Sequence, residues 1–271
     1  AYGHAPLRED DSVQVEYVSA NPTGPLHVGH GRGAAYGSTL VNLLRAAGYN
    51  VQSEYYINDA GNQMNNLAAS VNARYLELLG RPAEIPENGY HGHDIIETAQ
   101  AIIDQDGDKY LDMPEEERLD LFKDRAYVEK LKALKRDLEH FNVSYDNWFS
   151  ERTLHPDAIK AACDVLQGRG KIYEKDGALW LKSTDYGDDK DRVVIRDNGV
   201  PTYLAADIAY HKNKYDRGFK TMINIWGADH HGYVARVKAA MAALGYDTAQ
   251  LEVLLLQMVS LFRDGQQVKM S

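Results

Sequence analysis

The chain has 271 residues, of which 44% are hydrophobic and 26% charged, a composition typical of a soluble globular protein. No apolar run reaches the roughly 18 residues that a membrane helix needs, and residues 1–4 lack the features of a secretory signal. The single cysteine, Cys163, excludes an internal disulfide and a cysteine-based zinc cluster, and it favours a reducing cytoplasm. The net charge of −10 argues mildly against a nucleic-acid partner, although it is compatible with a local basic strip.

The N-terminal part of the sequence alternates strand and helix patterns. Alternating apolar residues predict a strand over Val13–Val18, and a Gly/Pro-rich loop separates it from a helix that opens near His27 and ends at Gly48. A second strand is predicted over Val51–Ile57, and a second helix begins at Asn58. Two strand–helix units with helices long enough to cross over predict an α/β fold with a parallel sheet covered on both faces.

The middle of the chain has a different character. Helices are predicted over Ile95–Ile103 and Pro114–Phe141, the second with a stripe of apolar residues along one face. A hairpin is predicted at Asp176-Gly177, and Arg192–Arg196 has the pattern of a further strand. This mixture of helices and short strands differs from the alternation before it, and it predicts an α+β insertion.

Strand and helix patterns alternate again near the C-terminal end. They predict a helix from Leu204, a strand over Thr221–Trp226, a helix over Val234–Leu244, a strand over Glu252–Leu256 and a hairpin at Asp264-Gly265. We therefore predict that residues 83–196 form an inserted domain beside the sheet. The two halves of the sheet domain are then residues 1–82 and 197–271.

The motif His27-Val28-Gly29-His30 is the strongest sign of chemistry in the sequence. It follows a strand and a loop and opens a helix, where free backbone N–H groups and the positive end of the helix dipole attract an anion. Gly29 allows a nucleotide to approach the backbone closely. His27 and His30 share one face of the first turn, where both can donate to a phosphate. A pair of surface histidines at a helix start is the alternative that this motif leaves open.

A second motif, Lys269-Met270-Ser271, ends the chain behind the last predicted hairpin. A lysine on a loop near a triphosphate can stabilise charge that develops in a transition state. Together and in this order, the two motifs resemble the HIGH and KMSKS signatures of class I aminoacyl-tRNA synthetases. The resemblance implies a Rossmann-like, doubly wound parallel sheet with an inserted connective domain. The glycines at and after Gly29 do not follow the Gly-x-Gly-x-x-Gly pattern of dinucleotide dehydrogenases.

Three further segments resemble the arginyl-tRNA synthetases within that class. They are Glu16-Tyr17-Val18-Ser19-Ala20-Asn21-Pro22, Asn58-Asp59-Ala60-Gly61-Asn62-Gln63 and Thr202-Tyr203-Leu204-Ala205-Ala206-Asp207. The resemblance covers almost the whole chain, and it implies that ATP and L-arginine form arginyl-adenylate with release of pyrophosphate. The arginyl group then passes to the 3′-terminal ribose of arginine tRNA. A monomer without a membrane partner is expected, with Mg²⁺ accompanying the ATP and held by phosphates and water.

Four residues are expected to bind arginine. Tyr203 and Asp207 are four apart on a predicted helix and therefore share a face, and a carboxylate is the natural partner of a planar guanidinium. Asp207 is thus predicted to clamp the guanidinium, with Tyr203 beside it. By resemblance, Glu16 and Asn21 hold the α-amino group of the substrate. Without the family match, a solvated helix carboxylate at Asp207 and a water-facing strand residue at Glu16 are the simpler interpretations.

The resemblance also assigns the residues that bind ATP: His27, Gly29, His30, Asp229, Lys269, Met270 and Ser271. Among them, His27, His30 and Lys269 are expected to be catalytic. Asp229 follows a predicted strand at the carboxyl edge, where open α/β sheets bind ligands, and it is expected to accept from ribose hydroxyls. The adjacent His230-His231 pair allows a metal site, but no second group of ligands accompanies it, and a zinc site is not expected.

Two departures from the family pattern concern the ends of the chain. There is no initiator methionine, and the signature loop stops at Ser271, before its second lysine. We therefore expect an excised piece that lacks the anticodon-binding and N-terminal domains and charges tRNA poorly. Two alternatives remain open: another nucleotidyltransferase with the same signature, and a catalytically dead paralogue or domain that only binds ligand or RNA. A decayed site is disfavoured by the joint presence of His27, His30, Lys269, Glu16 and Asp207.

Overall fold

The computed structural model describes residues 2–268 and 270. The chain forms two compact units, which we name the sheet unit and the helical unit. The sheet unit comprises Ala1–Ser19, Gly29–Tyr56 and Tyr145–Ser260, and the helical unit comprises Ala20–Val28, Ile57–Ser144 and Leu261–Ser271. Within the described part of the chain, no helix combines the length and the apolar character needed to cross a membrane.

The structure contains ten strands and seven α-helices within the described residues. The strands are β1 (Arg8–Glu16), β2 (Tyr49–Ile57), β3 (Asn147–Ser150), β4 (Ile172–Lys175), β5 (Ala178–Leu181), β6 (Arg192–Ile195), β7 (Thr221–Gly227), β8 (Leu251–Leu256), β9 (Leu261–Arg263) and β10 (Gln266–Val268). The helices are α1 (Val28–Ala46), α2 (Asn62–Leu78), α3 (His93–Asp106), α4 (Glu115–His140), α5 (Asp157–Gly168), α6 (Tyr203–Asp216) and α7 (His231–Leu244).

A five-stranded sheet in the order β3-β2-β1-β7-β8 forms the centre of the sheet unit. The pairs β1–β2, β1–β7 and β7–β8 are parallel, and Val13 lies opposite Val51 on one side and Thr221 on the other. Val13 and Val15 of β1 are buried, as a strand in the middle of a covered sheet requires. The predicted α/β fold with a parallel sheet is confirmed, as are its four predicted strands.

Helices α5, α6 and α7 provide most of the apolar core of the sheet unit. Its buried members include aromatic, aliphatic and sulfur-containing side chains, among them Tyr56, Leu154, Ile159, Leu166, Leu181, Ile208, Tyr210, Met222, Met241 and Leu251. Strands β4, β5 and β6 form a separate antiparallel sheet whose Leu181 and Val194 enter this core. The predicted hairpin at Asp176-Gly177 is confirmed, and both residues have positive φ, 54° and 74°, as a type I′ turn requires.

The helical unit is built from α2, α3 and α4, which confirms the two helices predicted in the middle of the chain. Their buried residues form a second core of Met64, Leu67, Val71, Tyr75, Ile95, Ala99, Ile102, Tyr110, Phe122 and Ala126. The antiparallel hairpin of β9 and β10, predicted from Asp264-Gly265, also belongs to this unit.

One expectation about residues 83–196 is wrong. The strand β3 within this segment pairs with β2 at the edge of the central sheet, whereas the whole segment was expected to lie beside the sheet. The segment before β3 is held to the sheet by side-chain hydrogen bonds. Such contacts leave no periodic pattern in the sequence. The Asp146 carboxylate accepts from the backbone N and from Oγ of Ser53 in β2, at 2.7 and 2.9 Å.

The borders of the two compact units also differ from the predicted division. Helix α2 was assigned to the sheet domain, but it packs with α3 and α4 in the helical unit. Residues from Tyr145 onward belong to the sheet unit. The compact units are thus a different partition of the chain from the predicted domains at 1–82, 83–196 and 197–271. The predicted division into domains stays a prediction.

Candidate active site

The carboxyl end of β1 carries a buried charged residue, Glu16, which is 7% exposed. Its Oε2 accepts from Lys214 Nζ at 2.7 Å, and its Oε1 accepts from Ser19 Oγ at 3.1 Å. Both oxygens are therefore oriented by donors within the sheet unit. The alternative interpretation of Glu16 as a strand residue facing water is excluded by this burial.

The chain leaves β1 through a strained turn. Val18 and Ser19 both have positive φ, 68° and 46°, a conformation that is rare for non-glycine residues and especially for a β-branched one. The turn places Ser19 Oγ where it accepts from the backbone N of Tyr56 at 3.0 Å while donating to Glu16. Strain of this kind persists only where the surrounding structure fixes it, and it concentrates at functional sites.

Helix α1 begins at Val28, within the predicted phosphate motif. His30 and Gly29 lie in its first turn and are half-buried, and His27 directly precedes the helix. The helix packs closely on the sheet, because a Cβ built on Gly37 lies only 2.2 Å from the ring of Tyr17. The predicted placement of the motif at the start of a helix is confirmed, whereas its contact with phosphate stays a prediction.

Helix α6 carries the two residues predicted to recognise the guanidinium. Tyr203 is its first residue and is 62% exposed, and Asp207 lies one turn further and is half-buried. The Tyr233 hydroxyl donates to Asp207 Oδ2 at 2.5 Å. Asp207 is therefore not the solvated helix carboxylate of the simpler interpretation.

Burial raises the pKa of Asp207 from 3.8 to about 7. The Tyr233 hydrogen bond opposes this shift, the neighbouring carboxylates of Glu151 and Glu16 add to it, and the charge of Lys214 opposes it. Two further carboxylates of the sheet unit thus act on Asp207. Such a group favours a ligand that brings positive charge, because a cation would allow Asp207 to ionise.

Glu151 is a member of this group that sequence reasoning missed. It follows β3 directly and is 5% exposed. Its Oε2 accepts from the Tyr56 hydroxyl at 2.7 Å, and its Oε1 lies 3.1 Å from His155 Nε2. No sequence pattern could have found it, because β3 has four half-buried residues and no alternation that would mark the strand before Glu151.

Asp229 lies in a short 3₁₀ turn between β7 and α7. Its side chain is 57% exposed, and Oδ1 lies 3.3 Å from His230 Nδ1. Because β1 and β7 are parallel, the turn follows the same sheet edge at which Glu16 lies. Among residues 2–268 and 270, no group of three or more His, Cys, Asp or Glu is arranged to hold a metal ion.

The remaining predicted residues lie elsewhere in the chain. Asn21 is exposed in the segment Ala20–Val28, which is assigned to the helical unit, as is His27. Met270 is half-buried in an irregular segment, and Lys269 and Ser271 lie outside the described residues. The sheet unit therefore brings together Glu16, Asp207 and the unpredicted Glu151, and the roles of the other residues stay predictions.

Comparison with known proteins places this geometry in a family. The model of the family described as tRNA synthetases class I (R), catalytic domain, matches residues 2–271. The arginine–tRNA ligase of Carboxydothermus hydrogenoformans is 56% identical over 271 residues, which are 100% of this chain and 49% of that protein. The arginine–tRNA ligase of Heliobacterium modesticaldum is 56% identical over 272 residues, 100% of this chain and 48% of that protein. The chain thus spans about half the length of these relatives.

Solved structures agree with this assignment. A structure from Campylobacter jejuni, provisionally assigned as an arginyl-tRNA synthetase, superimposes with a TM-score of 0.91 at 44% identity, over 99% of this chain and 59% of that chain. The arginyl-tRNA synthetase of Thermus thermophilus shares the fold, with a TM-score of 0.69 at 23% identity over 94% of this chain and 49% of that chain. By the family match and these identities over its whole length, the chain belongs to the class I arginyl-tRNA synthetase catalytic-domain family.

Proposed function

We propose that the protein to which this chain belongs activates L-arginine with ATP and transfers the arginyl group to the 3′-terminal ribose of arginine tRNA. The observation that carries the proposal is the group of carboxyls formed by Glu16, Glu151 and Asp207 in the sheet unit. Arginine carries two positive groups, the α-ammonium and the guanidinium, and it is matched by a site with an excess of acceptors. The family membership supports the same reaction.

Asp207 is proposed to recognise the guanidinium. Its burial makes the ionised carboxylate unfavourable in the free protein, and a planar cation with donors in a fixed fork supplies the charge and the hydrogen bonds that stabilise it. Glu151 adds negative charge to the same region, and the exposed Tyr203 ring lies one turn earlier on α6. Glu16 and Asn21 are proposed to hold the α-ammonium group, which leaves the carboxylate of the substrate free to react.

The ATP side of the site rests on the start of α1 and the turn after β7. Activation is an in-line attack of the arginine carboxylate on the α-phosphorus, so the protein has to position the reactants and stabilise charge. We propose that the backbone at Gly29 admits the nucleotide and that His27, His30 and Lys269 donate to the phosphates. Asp229 would accept from the ribose.

The C-terminal motif and the metal complete the proposed ATP site. Met270 and Ser271 are assigned to it with Lys269, as in the resembled signature loop. Mg²⁺ would accompany the ATP and be held by phosphate oxygens and water, as this ion usually is beside nucleotides. The single cysteine of the chain, Cys163, supports action in a reducing cytoplasm, and a monomer is the proposed state.

Calorimetric titration of the protein with arginine, citrulline, ATP and a stable arginyl-adenylate analogue tests this proposal. Citrulline has nearly the shape of arginine but a neutral urea, so it leaves Asp207 without a cation. We expect arginine and the adenylate analogue to bind, and citrulline to bind at least ~10²-fold more weakly, because a mismatched ligand leaves buried polar groups unpaired. Equal affinities for arginine and citrulline, or no binding of the adenylate analogue, would contradict the proposed function.

A further inference from the structure

A continuous line of buried polar side chains joins the Glu16 carboxylate to the backbone carbonyl of Asp207. Lys214 Nζ donates to Glu16 Oε2 and to Asn224 Oδ1, both at 2.7 Å. Asn224 Nδ2 lies 2.7 Å from His211 Nε2, and His211 Nδ1 lies 2.8 Å from the backbone carbonyl of Asp207. We call the three intermediate residues, Lys214, Asn224 and His211, the buried relay.

The three members of the buried relay are almost completely removed from solvent. Lys214 and Asn224 are 0% exposed and His211 is 2% exposed. Lys214 and His211 lie on α6, and Asn224 lies opposite Glu16 in the register between β1 and β7. The relay therefore joins the helix that carries Asp207 to the strand that carries Glu16, entirely within the sheet unit.

The hydrogen bonds of the relay can run in only one direction. Because an ammonium group only donates, the atom of Asn224 that faces Lys214 must be the carbonyl oxygen, and its NH₂ group must face His211. His211 Nε2 therefore accepts, and the proton of the neutral ring sits on Nδ1 and is donated to the Asp207 carbonyl. Burial, together with the charge of Lys214, lowers the pKa of His211 to about 3, in agreement with this neutral tautomer.

Stability of the fold alone does not explain such an arrangement. Replacing buried charged and polar groups by well-packed apolar residues is often neutral or stabilising. The relay is also removed from water, and the Lys214 ammonium nitrogen lies 4.5 Å from the Tyr210 ring centroid. What the relay does provide is a fixed distance and orientation between Glu16 and the backbone of Asp207.

We propose that the buried relay is a positioning device for arginine recognition. Lys214 balances the charge of Glu16 and fixes its carboxylate, while His211 holds the Asp207 carbonyl and thereby the turn of α6 from which the Asp207 side chain projects. Lys214, Asn224 and His211 touch no substrate and act through these two residues. The inference rests on the proposed arginine-binding function. It states that the spacing between the Glu16 and Asp207 carboxyls allows the site to recognise both ends of one arginine molecule.

The first test is Lys214→Met, with Lys212→Met as its matched control. Lys212 lies on the same helix, but its partner Asp216 is at the surface. We expect Lys214→Met to weaken arginine binding by about 10–100-fold, the range typical of residues that orient a ligand-holding side chain. ATP affinity should remain as in the parent protein, Lys212→Met should change neither, and Lys214→Arg should recover part of the arginine affinity. Equal losses of arginine and ATP binding in Lys214→Met would overturn the positioning role.

A second measurement does not depend on whether Lys214→Met folds. In the parent protein labelled with ¹⁵N-histidine, NMR should show His211 as a neutral ring with its proton on Nδ1. In Asn224→Asp, the carboxylate cannot donate to Nε2, so the ring should become protonated there, and arginine binding should weaken while ATP binding holds. A parent His211 protonated on Nε2 would refute the direction of the relay. If the parent protein shows the expected tautomer but binds no arginine, the proposed function fails and the relay geometry stands.

Discussion

Each unit of the molecule buries positively charged side chains, and Arg118 of the helical unit and Lys214 of the sheet unit have different partners. In the helical unit, Arg118 is 7% exposed and donates to Asn72 Oδ1 at 2.7 Å and to the carbonyls of residues 110, 111 and 113. In the sheet unit, Lys214 donates to the Glu16 carboxylate and to Asn224. Arg118 therefore stabilises the backbone of the loop that precedes α4. Lys214 instead orients the side chain of Glu16, which is proposed to bind arginine.

The comparison separates two reasons for burying a charge. A cation that satisfies backbone carbonyls compensates for a segment that cannot form regular hydrogen bonds, and its effect is on stability. A cation that holds a carboxylate at the carboxyl end of a sheet strand fixes the orientation of an acceptor that a ligand can share. The distinction predicts that loss of the Lys214 ammonium alters ligand affinity, whereas loss of the Arg118 guanidinium alters the free energy of unfolding.

The largest effect is expected for Asp207→Asn, which keeps the shape of the side chain and removes its charge. Arginine affinity should fall by about 10²-fold or more, because loss of one partner of a buried charge pair typically amounts to ~2–5 kcal/mol. ATP affinity should hardly change, and the gap between arginine and citrulline should narrow. Calorimetric titration of both ligands against the parent and Asp207→Asn decides the matter. If arginine binds the variant as tightly as the parent, Asp207 does not recognise the guanidinium.

The complementary change is Arg118→Met in the helical unit, with Arg136→Met on the exposed face of α4 as control. Arg118→Met removes the donor to Asn72 Oδ1 and to the carbonyls of residues 111 and 113, whereas the carbonyl of residue 110 keeps the N–H of residue 113. Each buried unsatisfied group typically amounts to ~1–3 kcal/mol. We expect the free energy of unfolding to fall by about 2–3 kcal/mol. Arginine affinity at a temperature where the variant is folded should be unchanged.

Thermal unfolding and hydrogen exchange of α2–α4 measure the loss of stability in Arg118→Met. Calorimetric titration measures its arginine affinity. Arg136→Met should leave both quantities close to those of the parent, since surface ion pairs contribute only ~0–1 kcal/mol. A large loss of arginine affinity in Arg118→Met would remove the contrast between the two buried cations.

A third prediction concerns the packing of α1 on the sheet. An added Cβ at Gly37 would lie 2.2 to 2.7 Å from three atoms of Tyr17, so Gly37→Ala requires the helix or the ring to move. We expect destabilisation of about 1–3 kcal/mol, as for other overpacked positions. The control is Gly31→Ala in the same helix, where a Cβ meets nothing within 4 Å and alanine favours the helix. Equal unfolding temperatures for the two variants would show that the close packing has no energetic consequence.

The sequence predicted the regular part of the fold because periodic patterns report on burial. The alternating residues of Val13–Val18 and the apolar stripe of Pro114–Phe141 correspond to β1 and α4. By contrast, β3 has four half-buried residues and no alternation, so its place at the sheet edge depends on partners distant in sequence such as Ser53. No local pattern contains that information.

The site shows the same division between local and distant information. Asp207 and Tyr203 were found because helical spacing and a family resemblance mark them within one short segment. Glu151 and Asn224 come from other parts of the chain and meet Asp207 and Glu16 only through the fold. The burial of Asp207, and with it the rise of its pKa, depends on that assembly and was not predictable from residue types.

That pKa leads to the smallest effect, which is a dependence of arginine binding on pH. Burial, with the charges of Glu151 and Glu16, raises the pKa of Asp207 from 3.8 to about 7 against the opposing influence of the Tyr233 hydroxyl and Lys214. In the free protein the carboxyl is thus mostly protonated at pH 6 and mostly ionised at pH 8, and only the ionised form suits the guanidinium.

Arginine binding should therefore weaken as pH falls through 7, by about tenfold between pH 8 and pH 6, since one pKa unit corresponds to ~1.4 kcal/mol. Binding should also release a proton near pH 6, which calorimetry in buffers of different ionisation enthalpy detects. In Asp207→Asn both the release and the pH dependence should disappear, and this control separates Asp207 from histidines that titrate in the same range. An arginine affinity that is constant from pH 6 to pH 8 would show that Asp207 is already ionised before the ligand arrives. Arginine would then bind without release of a proton from Asp207. The negative charge of Asp207 would already be stabilised by other groups in the free protein.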